Sequence, residues 1–187
     1  MKVLFLIACI LIHGIAVAQT DEKNDLSYNY AELRFVDVDE RSGDGFQLNG
    51  SYRLKGNWIL VGGVTAVSFD NKVDSTLVEI GGGYVLPFSD RLDLVSTLRF
   101  ASGESDVPGG GRVDDEGIGV STGVRSRVDS KLEFRGLVNH INMGHEQDTH
   151  VEVAGDYYFT RKLAAGASVK FGGDADSFTI GARWFFE

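Results

Sequence analysis

Apolar and polar residues alternate with a period of two along most of this chain, and turn-forming residues separate the runs. Such alternation puts one class of side chain on each face of a strand. The pattern predicts ten strands, near 27–38, 45–54, 58–69, 75–86, 91–101, 117–128, 131–141, 149–159, 163–172 and 177–186, with eight strands as the alternative. Most runs approach the roughly 9–11 residues that a tilted strand needs to cross the hydrocarbon of a bilayer. In the last run, Phe178, Ile180, Ala182, Trp184 and Phe186 share one face, while Thr179, Gly181, Arg183 and Phe185 share the other. A closing strand that is aromatic on one side and carries an arginine on the other suits a wall between lipid and a polar lumen.

Other runs divide the same way. Phe46, Leu48, Tyr52 and Leu54 oppose Gln47, Asn49, Ser51 and Arg53. Leu92, Leu94, Leu98 and Phe100 oppose Asp93, Thr97 and Arg99. Ile118, Val120, Val124 and Val128 oppose Ser121, Arg125 and Arg127; Val151, Val153, Tyr157 and Phe159 oppose His150, Glu152, Asp156 and Tyr158. Run 58–69 alternates poorly, and its faces stay unassigned. Together the polar faces hold Glu32, Glu79, Asp93, Glu133, Glu152 and Asp156 with Arg34, Arg53, Arg99, Arg125, Arg127, Arg135, Lys170 and Arg183, a candidate charge network lining the lumen. A water-soluble sandwich or lipocalin-like barrel, the alternative that alternation alone also fits, places apolar side chains inside and such charges outside.

The connections add a direction. Short ones (55–57, 87–90, 129–130, 160–162) alternate with longer ones (39–44, 70–74, 102–116, 142–148, 173–176). Outer-membrane barrels have short periplasmic turns and longer outer loops, and an even strand number leaves both termini on one side. Trp58, Tyr84, Tyr157, Phe159, Trp184 and Phe186 lie near the short-turn ends of the apolar faces, where an interfacial aromatic girdle belongs.

Residues 1–18 read as a cleaved secretory signal: Lys2, the apolar run Val3–Ile12, and Ala16-Val17-Ala18 before Gln19. An N-terminal anchor and lipidation at Cys9 are the alternatives. The barrel domain is then 19–187. Cys9 is the only cysteine, so that domain has neither a disulfide nor a thiolate metal site, and a closed ladder is its alternative source of stability. The formal charge of −9 argues against a phosphate-attracting basic surface, so no nucleic-acid partner is expected. Acidic residues concentrate in the longer connections and read as a solvated collar rather than a metal site; 37–45 has Ser42 where an EF-hand requires glycine.

Catalytic candidates are confined to His140, His145, His150, Glu146 and Asp148 around 142–148. No nucleophile motif accompanies them, so no enzyme activity, cofactor or metal is expected. Gly109-Gly110-Gly111 lacks the following Lys-Ser/Thr of a phosphate loop and reads as a loop tip.

The mature chain resembles the small porin-like, opacity-type β-barrels of the Gram-negative outer membrane. The resemblance rests on Tyr28-Asn29-Tyr30-Ala31-Glu32, Gly43-Asp44-Gly45-Phe46, Leu86-Pro87-Phe88-Ser89-Asp90, Tyr157-Tyr158-Phe159-Thr160, Ala165 to Gly172, and the last strand. Glu187, after the final aromatic residue, departs from the pattern. The resemblance implies an integral outer-membrane protein with a structural or porin-like role. Its partners would be outer-membrane lipid, lipopolysaccharide and the assembly machinery that receives the last strand. A surface adhesin acting through the acidic loops, and a barrel hydrolase, are the alternatives. Fold alone selects none of them.

Overall fold

The computed structural model describes residues 26–39, 43–70, 73–107, 109, 111–144 and 146–186. They form ten antiparallel strands: β1 (Tyr30–Val38), β2 (Gly43–Arg53), β3 (Trp58–Phe69), β4 (Val73–Ser89), β5 (Leu92–Val107), β6 (Gly111–Arg127), β7 (Leu132–Met143), β8 (Glu146–Thr160), β9 (Leu163–Phe171) and β10 (Ser177–Phe185). Each strand pairs with its sequence neighbour, and β1 pairs with β10 from Tyr30 opposite Phe185 to Val38 opposite Ser177. The ladder therefore closes into a barrel with no edge, and the eight-strand alternative is set aside.

The distribution of side chains is inside-out. Phe100 is 65% exposed on the exterior, while Glu133 and Arg183 are 0% exposed inside. A bilayer inverts the usual preference, because the exterior solvent is hydrocarbon. The molecule is a ten-stranded antiparallel transmembrane β-barrel.

Strand length, more than loop length, distinguishes its two ends. The expected connection 102–116 is mostly ladder: Ser102 pairs with Glu116, Glu104 with Asp114 and Asp106 with Arg112. The expected loop 142–148 shrinks likewise, with Met143 opposite Glu146. These residues are polar on both faces and so read as loop. Beyond the membrane, however, both faces meet water and the ladder continues without alternation. β4, β5 and β6 rise well past β1, β9 and β10, so the end away from the termini (the far end) is slanted. At the end holding the termini (the near end), β4 continues through Pro87 to Ser89, with a register shift that accommodates the missing N–H. The turn there is Asp90-Arg91 rather than 87–90.

Two inward glycines show how the small barrel curves. A Cβ on Gly81 would fall on the Leu98 carbonyl oxygen of β5, and one on Gly123 on the Gly136 carbonyl oxygen of β7. Only a residue without a side chain lets the wall coil so tightly there.

β3 resolves once packed. Trp58, Leu60 and Val64 face outward, while Ile59 and Val61 face in. Its alternation was poor because both faces are apolar. Ile59 packs inside against Val85, Leu26 and Tyr28, with Val61 and Val95 alongside. The expected strand 27–38 begins only at Tyr30, and residues 26–29 turn into the near-end lumen instead.

Candidate functional site: the lumen

All fourteen charged residues expected in the lumen stand on inward-facing positions, and they separate into two tiers. The lower tier, in the near half, is centred on Arg183. Its Nη2 donates to Glu32 Oε1 at 2.8 Å and its Nη1 to Glu133 Oε1 at 3.2 Å. Register explains the first contact, since Glu32 and Arg183 are opposite one another across the β1–β10 seam. Arg125 forks onto Glu133 with Nε at 2.6 Å and Nη2 at 3.1 Å, a bidentate geometry that fixes both groups. The Tyr158 hydroxyl donates to Glu133 Oε2 at 2.6 Å. Arg34 donates to Glu32 at 2.7 Å and to Thr179 Oγ1 at 3.0 Å. Glu133 and Asp156 are direct cross-strand neighbours, a like-charge pairing that needs cations nearby. Arg183 Nη2 lies 3.3 Å from Asp156 Oδ2, an ion pair without hydrogen-bond alignment. Arg127 reaches Glu133 at 3.6 Å and covers the Tyr158 ring at 3.9 Å.

Residues 26–29 complete this floor. Tyr28 is buried between the Arg53 and Arg125 guanidinium groups, 4.8 and 4.6 Å from its ring centroid, and donates its hydroxyl to Asp93 at 2.8 Å. Arg125 Nη1 donates to the Ser27 carbonyl at 2.8 Å, and the Phe186 amide to the Asn29 carbonyl at 3.1 Å. Tyr28 shares the parity of Glu32 and Arg34, but it carries no charge to mark it as a lumen residue. The one further signal was Asn29, which interrupts the run and whose side chain accepts the Arg53 amide at 2.7 Å.

The upper tier is looser. Arg99 Nη1 donates to Glu79 at 3.3 Å and its Nη2 to Asn139 Oδ1 at 3.3 Å. Arg135 stands 3.7 Å from Glu152, and Lys170 faces Glu152 in register. These groups surround a cavity of about 350 Å³ that runs from a floor at Tyr28, Tyr30 and Arg125 to a mouth at Ile141 and Asp148. Asn139 was missed as a site residue because an amide on a polar face has many bland explanations; its inward parity was readable.

The histidines do not converge. His150 faces the lumen, 2.8 Å from Asp148, while His140 is exposed on the outer face, 2.7 Å from Thr149 Oγ1. One residue of parity puts the wall between them. His145 lies outside the described residues. Among the described residues no three His, Asp or Glu form a metal site. The six aromatics expected at the interface stand on the exterior at the near end, where Trp58 and Tyr84, Tyr157 and Phe159, and Trp184 and Phe186 form edge-to-face pairs with centroids 5.1, 5.3 and 6.4 Å apart.

No protein-family model matches the chain, and no curated protein matches it by sequence. Its similarity is to solved structures. A NanC porin matches with a TM-score of 0.54 at 11% identity, over 83% of this chain and 100% of that one. A KdgM porin matches with a TM-score of 0.51 at 12% identity, over 84% of this chain and 99% of that one. The chain shares its closed, antiparallel barrel fold with these outer-membrane porins.

Proposed function

We propose that this chain is an outer-membrane barrel whose lumen is closed by its own charges, serving a structural envelope role rather than general diffusion. The observation that carries this reading is the lower tier: Arg183 and Glu133, fully buried, tie β10 to β1, β6 and β7 across the lumen. About eight strands leave an interior that side chains just fill, and aqueous channels appear at about 16, so ten strands leave little to spare. The near end faces the periplasm in this reading, and residues 1–18 are the export signal. The apolar belt contacts lipid and lipopolysaccharide, and the last strand is presented to the assembly machinery. No catalytic role is included, since His140 and His150 occupy opposite faces.

Purified protein in planar bilayers tests it. The expected trace is a silent membrane at voltages where general porins give steady steps. Large, steady currents proportional to salt would overturn the closed-lumen reading and restore the porin-like one. A surface-binding role has one specific support, the β5–β6 stem, where Glu104, Asp106, Asp114, Asp115 and Glu116 outnumber Arg112 beyond the belt.

A further inference from the structure

Charge on the outside of this barrel is sorted from end to end. The far end is acidic, and there carboxylates on outward positions face one another across the ladder: Asp37 opposite Asp44, Asp74 opposite Asp106, and Glu104 opposite Asp114. The near end is the reverse. Its four turns hold Lys55, Arg91, Lys131, Arg161 and Lys162 against Asp90 and Asp129. One oxygen of Asp129 is already occupied, since Oδ1 accepts the backbone amides of Lys131 at 2.6 Å and Leu132 at 2.9 Å. Lys55, Lys131 and Arg161 are exposed, and among the described residues none of the three side chains has an ion-pair partner. The fold does not use these three cations, yet every near-end turn carries at least one.

These turns adjoin the aromatic pairs of the outer wall. Lys55 is three residues from Trp58, and Arg161 is two from Phe159. The Lys131 carbonyl accepts the Tyr158 amide, beside Tyr157, and the Lys162 carbonyl accepts the Phe185 amide, beside Trp184. Trp58 and Trp184 are 58% and 60% exposed on the exterior. Amphipathic rings settle at the boundary between hydrocarbon and water, and so hold the adjoining turns at the depth of the headgroups. Lysine and arginine side chains at that depth lay their stems on apolar surface and keep their charges among the headgroup phosphates. A zwitterionic headgroup presents its phosphate with a cation attached, whereas an anionic one presents net negative charge to the turn.

We propose that the near-end turns form a cationic ring that selects anionic phospholipid over zwitterionic phospholipid from the leaflet around it. The attraction is local: the formal charge of the whole chain is −9, so its long-range field works against an anionic surface. Each of the three aromatic pairs has one or two cations beside it, and a single lysine or arginine near an anionic surface favours contact by about fivefold. The acidic far end carries the opposite sign and supplies an internal comparison. The proposal rests on the reading that the apolar belt lies in a bilayer with the near end in one leaflet.

The chain's two tryptophans, Trp58 and Trp184, both stand beside this ring and serve as reporters. The mature protein is folded into vesicles that mix phosphatidylcholine with phosphatidylglycerol, one of the two carrying brominated acyl chains. Quenching of tryptophan fluorescence then gives the relative affinity of the two lipids at the near end. Phosphatidylglycerol should be preferred about fivefold. The preference should fall toward parity in 1 M salt, where the screening length is about 3 Å. In a Trp184→Phe background, which leaves Trp58 as the reporter, Lys55→Gln should remove most of the preference. With both tryptophans replaced by phenylalanine, Phe46→Trp puts the reporter two residues from Asp44 and should show no preference. Heat-modifiable migration on gels, equal to that of the parent, checks that each variant is folded. Should Trp184→Phe fail that check, Trp58→Phe combined with Arg161→Gln and Lys162→Gln makes the same test at Trp184. Equal quenching by the two lipids, a preference untouched by the folded charge variants, or the same preference at Phe46→Trp would each overturn the proposal. Absence of quenching by either brominated lipid would overturn the bilayer reading itself, and the proposal with it.

Discussion

The two tiers of the lumen are built from the same residue types and behave as opposites. In the lower tier Glu32, Glu133 and Asp156 each meet at least one guanidinium, and the tier holds strands far apart in sequence, as Arg183 does with Glu32 and Glu133. In the upper tier the contacts are fewer and longer, Arg99 to Glu79 and to Asn139 at 3.3 Å and Arg135 to Glu152 at 3.7 Å, and they stand around a cavity of about 350 Å³. Charge inside a barrel therefore has no single meaning. Where the pairs are short, shared and fully enclosed, charge braces the wall; where they are single and long, it lines a cavity.

The sharpest way to break this contrast is Glu133→Ala. It strands Arg125 and Arg183, both fully enclosed, with one carboxylate fewer between them. Removing one partner of a buried charge pair costs about 3–5 kcal/mol. Glu79→Ala in the upper tier removes one 3.3 Å contact and leaves Arg99 bonded to Asn139 beside the cavity, so it should cost less, about 1.5–3 kcal/mol. Urea unfolding of both variants in lipid vesicles measures the difference. Equal losses would erase the distinction between tiers.

The outer face supplies the next largest effect. Leu98 is 52% exposed toward lipid, and Leu98→Arg should cost about 2–4 kcal/mol near the membrane midplane. Gln47→Arg, facing the cavity, should cost far less. Matching midpoints for the two variants would contradict the inside-out packing.

These face assignments were legible in the sequence because a strand's period of two survives any detail of packing. Leu98 against Arg99, or Ile118 against Gly119, could be assigned from parity alone. Legibility failed where the two environments stop being different. In β3 both sides are apolar, since Ile59 and Val61 pack on Tyr28 inside while Trp58 and Leu60 meet lipid. Over 102–116 both sides are polar, so a continuing ladder read as loop. The pairings within the lower tier follow from three-dimensional closure. Glu32 and Arg183 are 151 residues apart and meet only because β1 and β10 do.

Tyr28→Phe should have a moderate effect. It keeps the ring between Arg53 and Arg125 but deletes the hydroxyl that Asp93 accepts, leaving that buried carboxylate one donor short. A hydrogen bond to a charged group contributes about 1.5–3 kcal/mol, and the retained cation–π contacts keep the loss toward the lower figure. Tyr28→Ala should cost more and loosen the floor, seen as brief current flickers in planar bilayers. A silent Tyr28→Ala barrel of parental stability would show that residues 26–29 do not help to close the lumen.

The smallest effect belongs to a charge outside the barrel. Arg112 pairs with Glu104 and Asp114 on the β5–β6 stem, two acids that would otherwise oppose each other directly across the ladder. The arginine side chain is 56% exposed, so water screens the pair and Arg112→Gln should cost less than about 1 kcal/mol. Salt separates this case from Glu133. The screening length falls from about 10 Å at 0.1 M to about 3 Å at 1 M, which removes most of the interaction between exposed charges and little of that between buried ones. In 1 M salt the Arg112→Gln midpoint should merge with the parent's, while the Glu133→Ala deficit should persist. If both deficits vanished in salt, the lower tier would have to be as wet as the stem, and a closed lumen could not be maintained.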